Sequence, residues 1–378
     1  MARAASRAER YLYMILKGVI MPAPVDARAD SRANAALQRV GNRPIVCHAL
    51  EAIRRAGASE VALIVSAREL SAVQACVAAE GPTGIEVTYV PHVRRPDAVK
   101  EALTQAVELV GDAPCIVHAA DGLLAQPLEP LVELLRAGTP NLVMLVHRRA
   151  TSGGSIGLST RRLLRLVGEP TRECELELAG ACLFGPGALR HAARARWWQR
   201  GELDLAGVSQ RLAQAGGLLQ VEHVRGWRRY GGTAADLLEL NRLVLEALVS
   251  ADRAEPGAFG SGTRHAAAGD DDSRIEGCVQ LDPTACVQSS VIVGPAVVGP
   301  GALVQDSYIG PYTSIGAGVH IEGAEIERSI ILPRASITHI GGRLVGSVVG
   351  YDARVFRDFS LPRALRLNVG DGGEVALC

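Results

Sequence analysis

The stretch VIVGPAVVGPGALVQDSYIGPYTSIGAGVHIEGAEIERSIILPRASIT, residues 291–338, carries an aliphatic residue at nearly every sixth position. Ile292, Val298 and Val304 are six apart, and after a step of five so are Ile309, Ile315 and Ile321. Ile326, Ile331 and Ile337 continue with steps of five, five and six. Gly294, Gly299, Gly310 and Gly316 fall between them. Inward aliphatics on a six-residue period, with small residues at the corners, describe a coil whose repeats each form one flat side of a triangle. The period predicts a β-helix of hexapeptide repeats over residues 275–378.

Upstream the period is different. Leu16, Val19, Ile20 and Met21 form an apolar, strand-like run, and Ile45–Ala56 places Ile45, Ala49, Ala52 and Ile53 at helical spacing. Strands are then expected at Glu60–Val65, Ile85–Val90, Cys115–Ala120 and Asn141–His147, and helices at Leu70–Ala79, Val99–Val110 and Pro130–Ala137. This alternation predicts a Rossmann-like α/β domain with a mixed, mostly parallel sheet over residues 15–250. In such sheets ligands sit beyond the carboxyl ends of the strands, where Pro22–Arg28 and Asp121 both fall. An amphipathic helix from Asp236 closes the domain, and the Gly, Ala, Ser and Asp-rich residues 251–274 read as a linker. Residues 1–14 read as a disordered extension.

The chain has 378 residues, enough for two domains, with 40 basic and 40 acidic side chains. That balance provides no field for nucleic acid or an anionic membrane, so neither is expected as a partner. No run of 18 apolar residues occurs, so no membrane span is expected. Eight cysteines with no CxxC pair read as a reduced, cytoplasmic chain without a zinc site or disulfide framework.

The loop after Met21 holds Pro22, Ala23 and Pro24. A phosphate-cradling loop needs inward backbone N–H groups and no side chain in the way. Proline has no N–H, and Cβ atoms disfavour the positive-φ conformations that such loops use. Four other stretches carry a resemblance in spite of this: GNRPIVCHALEAIRRAG (41–57), GWRRYGGTAADLLELNRLVLE (226–246), SYIGPYTSIGAGVHIE (307–322) and LPRALRLNVGD (361–371). With these the chain resembles the long form of bacterial glucose-1-phosphate thymidylyltransferase, and more broadly the sugar-1-phosphate nucleotidyltransferases that carry a left-handed β-helix, a hand that the resemblance implies for residues 275–378.

The resemblance implies transfer of a nucleotidyl group from a nucleoside triphosphate to a sugar-1-phosphate with release of pyrophosphate. It implies a glycine-rich loop with an arginine, a following lysine, and two aspartates holding Mg²⁺. Carried across, the GGxGTR loop falls on Ala23–Arg28, so its glycines become Ala23, Pro24 and Asp26 while Arg28 survives. The lysine falls on Ala35, and the glycine under the nucleotide base falls on Ala98. The first metal aspartate survives as Asp121, and the second, in the family's GWWKDTG, falls on Tyr230. The sugar-facing EKPK segment reads Gly168, Glu169, Pro170 and Thr171, and two sugar-approaching glycines are kept as Gly157 and Gly180.

The expected site is therefore Arg28 and Asp121 for catalysis, Arg28 and Ala98 for the nucleotide, Gly157 and Gly180 for the sugar, and Asp121 for Mg²⁺ if the chain is active. Asp121 reads equally as a plain turn residue at a strand end. The Arg228–Arg229 pair reads as a solvated face or a replacement anion site, and Trp227 as a packing anchor. So many joint losses imply a weak or silent member that acts as a binding or regulatory partner, in a homo-oligomer or with an active paralogue. The alternative is an active nucleotidyltransferase with an altered nucleotide, sugar or cyclitol phosphate.

Overall fold

The computed structural model describes residues 15–22, 35–93, 98–136, 140–148, 176–193, 198–199, 202–203, 205–254 and 272–357. The chain divides into two compact units, Met1–Leu37 with Ile45–Arg229, and Gln38–Pro44 with Tyr230–Cys378.

The first unit is a seven-stranded sheet with helices on both faces. In chain order its elements are β1 (Lys17–Met21), α1 (Ile45–Arg55), β2 (Glu60–Ser66), α2 (Leu70–Glu80), β3 (Glu86–His92), α3 (Ala98–Val110), β4 (Cys115–Ala119), β5 (Gly122–Leu124), α4 (Glu129–Arg136), β6 (Leu142–Arg148), β7 (Leu176–Phe184), α5 (Ala188–Ala193), α6 (Leu205–Gln214), β8 (Leu219–His223) and β9 (Trp227–Arg229). The sheet order is β8-β6-β7-β4-β1-β2-β3. All pairings are parallel except those of β7, which runs antiparallel to both β4 and β6. Strand side chains alternate between two cores: Val61, Leu63 and Val65 of β2 enter one, Ala62 and Ile64 the other. Burial on both faces is why these strands read as continuous apolar runs.

The second unit is the coil, a parallel β-helix of three five-stranded sheets. Ile292, Ile309, Ile326 and Leu344 stack in one column, Val298, Ile315, Ile331 and Val349 in the second, and Val304, Ile321, Ile337 and Val355 in the third. All nine aliphatics of the sequence period are at most 2% exposed. The five-residue steps shorten the earlier turns, so column partners such as Ile292 and Ile309 lie 17 residues apart, while Ile326 and Leu344 in the last turn lie 18 apart. The corner glycines are demanded by space. A Cβ on Gly294 would stand 2.2 Å from the Cys278 carbonyl oxygen, and one on Gly316 2.7 Å from the Pro333 nitrogen.

One coil face is covered within the unit by α7 (Ala234–Ala254) and by a hairpin pairing Arg39–Val40 with Arg43–Pro44. Thr233 starts the helix: its hydroxyl accepts from the Asp236 N–H while the Asp236 carboxylate accepts from the Thr233 N–H, a reciprocal cap. The hairpin turns on Gly41 and Asn42, at φ 54° and 62°. Glycine and asparagine tolerate that left-handed pair, as a two-residue hairpin turn requires. Asn241 of α7 ties the parts together at 1% exposure. Its Oδ1 accepts from the Gly41 N–H at 2.8 Å and the Ser314 hydroxyl at 2.6 Å, and its Nδ2 donates to the Tyr312 carbonyl at 3.1 Å. Replacing Asn241 with leucine leaves the buried Ser314 hydroxyl and the half-buried Gly41 N–H and Tyr312 carbonyl unmatched. The expected loss is about 2–4 kcal/mol of stability, read as a drop in the chemical denaturation midpoint, and an unchanged midpoint would contradict it.

Candidate functional site

Strand β4 delivers its chain to the carboxyl end of the sheet, where Ala120 and Asp121 turn it into the short strand β5. Strand β5 pairs antiparallel with β9, with Gly122 opposite Arg229, Leu123 opposite Arg228 and Leu124 opposite Trp227. This register sets Arg229 beside Asp121, 108 residues away in sequence. Arg229 Nε donates to Asp121 Oδ2 at 2.7 Å, with the side chains 36% and 4% exposed. Asp121 Oδ1 is also buried and has no hydrogen-bond partner among the described residues. Arg228 Nη1 donates to the Trp227 carbonyl at 2.9 Å.

Trp227, 4% exposed, is the wedge of the site. Its indole lies over two glycines: a Cβ on Gly122 would stand 2.2 Å from Cη2, and one on Gly180 2.4 Å from Cζ2. Its ring meets His118 edge-on at 5.6 Å. His118 Nδ1 donates to the Ala119 carbonyl at 2.8 Å, and its buried Nε2 has no partner among the described residues. Burial pushes the imidazole pKa below its ordinary value, against smaller opposing effects of the Ala119 carbonyl and Asp121. The neutral ring is the stable form here.

Of the expected residues, Gly180 lies under the Trp227 indole, and Asp121 directly precedes Gly122, the other glycine beneath it. Ala98 is the first residue of α3. Arg28 and Gly157 lie outside the described residues, as do Ala23–Asp26 and Gly168–Thr171. Ala35 opens a short 3₁₀ turn, Ala35–Leu37. Gly180 is accounted for by the indole packed on it. Arg229 is the site residue whose role the sequence left open, and the loss of the neighbouring carboxylate at Tyr230 was its signal. His118 carried no signal, being one polar residue in a buried apolar strand.

Mg²⁺ asks for near-octahedral oxygen ligation and is usually held by one or two carboxylates with substrate phosphates. The described residues do not fit it. Among them no group of three or more His, Cys, Asp or Glu side chains could hold a metal. Asp121 already binds a guanidinium through Oδ2. At the second carboxylate position stands Tyr230, whose phenol is held protonated beyond the ordinary tyrosine range by burial and by Asp236. Among the described residues the arrangement is an ion pair beside a neutral imidazole.

Adding a methyl group at Gly180 must displace the indole. Gly180→Ala is expected to cost about 1–3 kcal/mol, with part recovered by Trp227→Leu in the same chain; purely additive losses in thermal unfolding would contradict the packing. For His118 the folded pKa is depressed, so the stability it permits is present above the ordinary value of 6.5 and is lost as pH falls below it. The melting temperature should therefore drop more in the wild type than in His118→Leu between about pH 7.5 and about pH 5.5.

No protein-family model matches the chain. A glucose-1-phosphate thymidylyltransferase of Streptomyces antibioticus is 32% identical over 349 residues, covering 90% of this chain and 93% of that protein. The enzyme of the same name from Streptomyces griseus is 30% identical over 336 residues, covering 88% and 90%. The low-salt glycan biosynthesis nucleotidyltransferase Agl11 of Haloferax volcanii is 26% identical over 372 residues, covering 96% and 100%. The shared sequence thus runs through both the sheet unit and the coil, and the chain belongs to the glucose-1-phosphate thymidylyltransferase family of sugar-1-phosphate nucleotidyltransferases.

Proposed function

We propose that this chain is a catalytically weak or silent member of its family, acting as a binding or regulatory partner in nucleotide-sugar metabolism. The observation that supports this reading is the state of its one retained metal carboxylate: Asp121 is closed into an ion pair with Arg229. Nucleotidyl transfer joins one anion to another, so its catalysis is mostly positioning and charge neutralisation. Loss of a single preorganised donor commonly costs about 10²–10³ in rate. Here the loop reads Pro22-Ala23-Pro24, the lysine position is Ala35 and the second carboxylate position is Tyr230. These groups act as a unit, so their losses are not multiplied.

The partner that fits this reading is another copy of the chain or an active paralogue, with nucleoside triphosphate and sugar-1-phosphate as its ligands. Among the described residues no helix is long and apolar enough to cross a membrane, and a cytoplasmic location is part of the proposal. A second reading, an active enzyme with an altered nucleotide or sugar phosphate and Mg²⁺ as cofactor, is favoured by the 32% identity that extends over 90% of the chain.

Turnover separates the two. With dTTP, glucose-1-phosphate and Mg²⁺ the purified chain should run at least about 10³-fold below a typical enzyme rate of about 10 s⁻¹. A rate near 10 s⁻¹ would overturn the proposal. Rapid turnover of another sugar phosphate would establish the second reading.

A further inference from the structure

Two carboxylates and one dication form a neutral unit, and one carboxylate and one guanidinium form another. The resemblance assigns the first arrangement to active relatives. This chain has lost one carboxylate, at Tyr230, and holds a guanidinium on the other. The antiparallel register of Gly122 with Arg229 builds that contact into the ribbon of β5 and β9.

We propose that the Arg229 guanidinium is the resident cation of this site, standing in for a divalent ion at Asp121. It follows that the wild-type chain takes no divalent cation there, and that removing Arg229 exposes a cation-responsive carboxylate. A dication would have to displace a charge-assisted hydrogen bond of 2.7 Å and then sit beside the arginine it displaced. The other oxygen, Oδ1, is buried. A hydrated ion would have to shed water to reach it, which Mg²⁺ does reluctantly. The inference goes beyond the loss of turnover, because a slow enzyme and a silent one could both carry it.

The probe is Mn²⁺ alone, titrated into the full chain and followed by the electron paramagnetic resonance of the free ion. The wild type and Asp121→Asn should bind the same amount. Arg229→Met should gain one Mn²⁺ site that the Arg229→Met/Asp121→Asn chain lacks, and Mn²⁺ should raise its melting temperature by a few degrees. A wild-type Mn²⁺ site abolished by Asp121→Asn overturns the proposal, as does a folded Arg229→Met chain that gains no site. If Arg229→Met does not fold, the comparison of wild type with Asp121→Asn decides alone. Rapid turnover without an Asp121-dependent Mn²⁺ site would sink the functional reading and leave this one standing. Such a site without turnover would do the reverse.

Discussion

Asp121 sits at a place in the fold where a carboxylate cannot stand alone. Its side chain is 4% exposed while that of Arg229 is 36% exposed, so stripping the partner costs less than the ~3–5 kcal/mol of a fully buried pair. Arg229 supplies the countercharge, and it arrives there because three residues of β9 pair with three residues of β5. The same ribbon swings Trp227 across Gly122 and Gly180 and against His118. Ion pair, ribbon and indole wedge therefore hold one another in place. A change to any one of them is felt by the other two, which is why the site reads as a structural joint as much as a reaction centre.

Within the family's GWWKDTG the first tryptophan is kept as Trp227 and the cation as Arg229, while the second tryptophan becomes Arg228 and the aspartate Tyr230. Trp227 falls on the first tryptophan of the family's GWWKDTG, and the close approach it makes to Gly180 is a matter of volume. What has changed is the inventory of charge: a carboxylate replaced by the phenol of Tyr230 and a lysine by Ala35, which leaves the cation at Arg229 paired with Asp121. Such changes spare the hydrophobic cores that hold the sheet and coil together. They alter the affinity for anions and metals, on which nucleotidyl transfer depends.

The coil was legible because its information is local. A six-residue spacing of Ile and Val says which side chains point inward, and the column from Ile292 to Leu344 follows from stacking turns of nearly equal length. The βα alternation was legible for the same reason: helix α1 was expected at Ile45–Ala56 and is Ile45–Arg55, and β2 was expected at Glu60–Val65 and is Glu60–Ser66. Non-local pairings were not. The Asp121–Arg229 contact spans 108 residues, and its two short strands carry no periodicity long enough to see. A mixed sheet was expected, but nothing in the reading of alternating elements marked β7 as its antiparallel strand. Nor did composition reveal that α7 groups with the coil. The linker at residues 251–274 marks a change of composition, whereas the contacts divide the chain at Arg229 and Tyr230, where Asn241 begins to tie helix, hairpin and coil into one unit. Of the candidate site, Asp121 could be found by position, but its state could not, because a carboxylate's partner is fixed by tertiary structure.

The most direct measurement is the crystal structure of the full chain soaked with dTTP and Mn²⁺, with anomalous scattering used to locate the ion. The expected map keeps Arg229 Nε on Asp121 Oδ2 and shows no anomalous peak at that carboxylate. A peak at about 2.1 Å from an Asp121 oxygen, with an ordered triphosphate against Ala23–Arg28, would contradict the self-neutralised site on which this account is built.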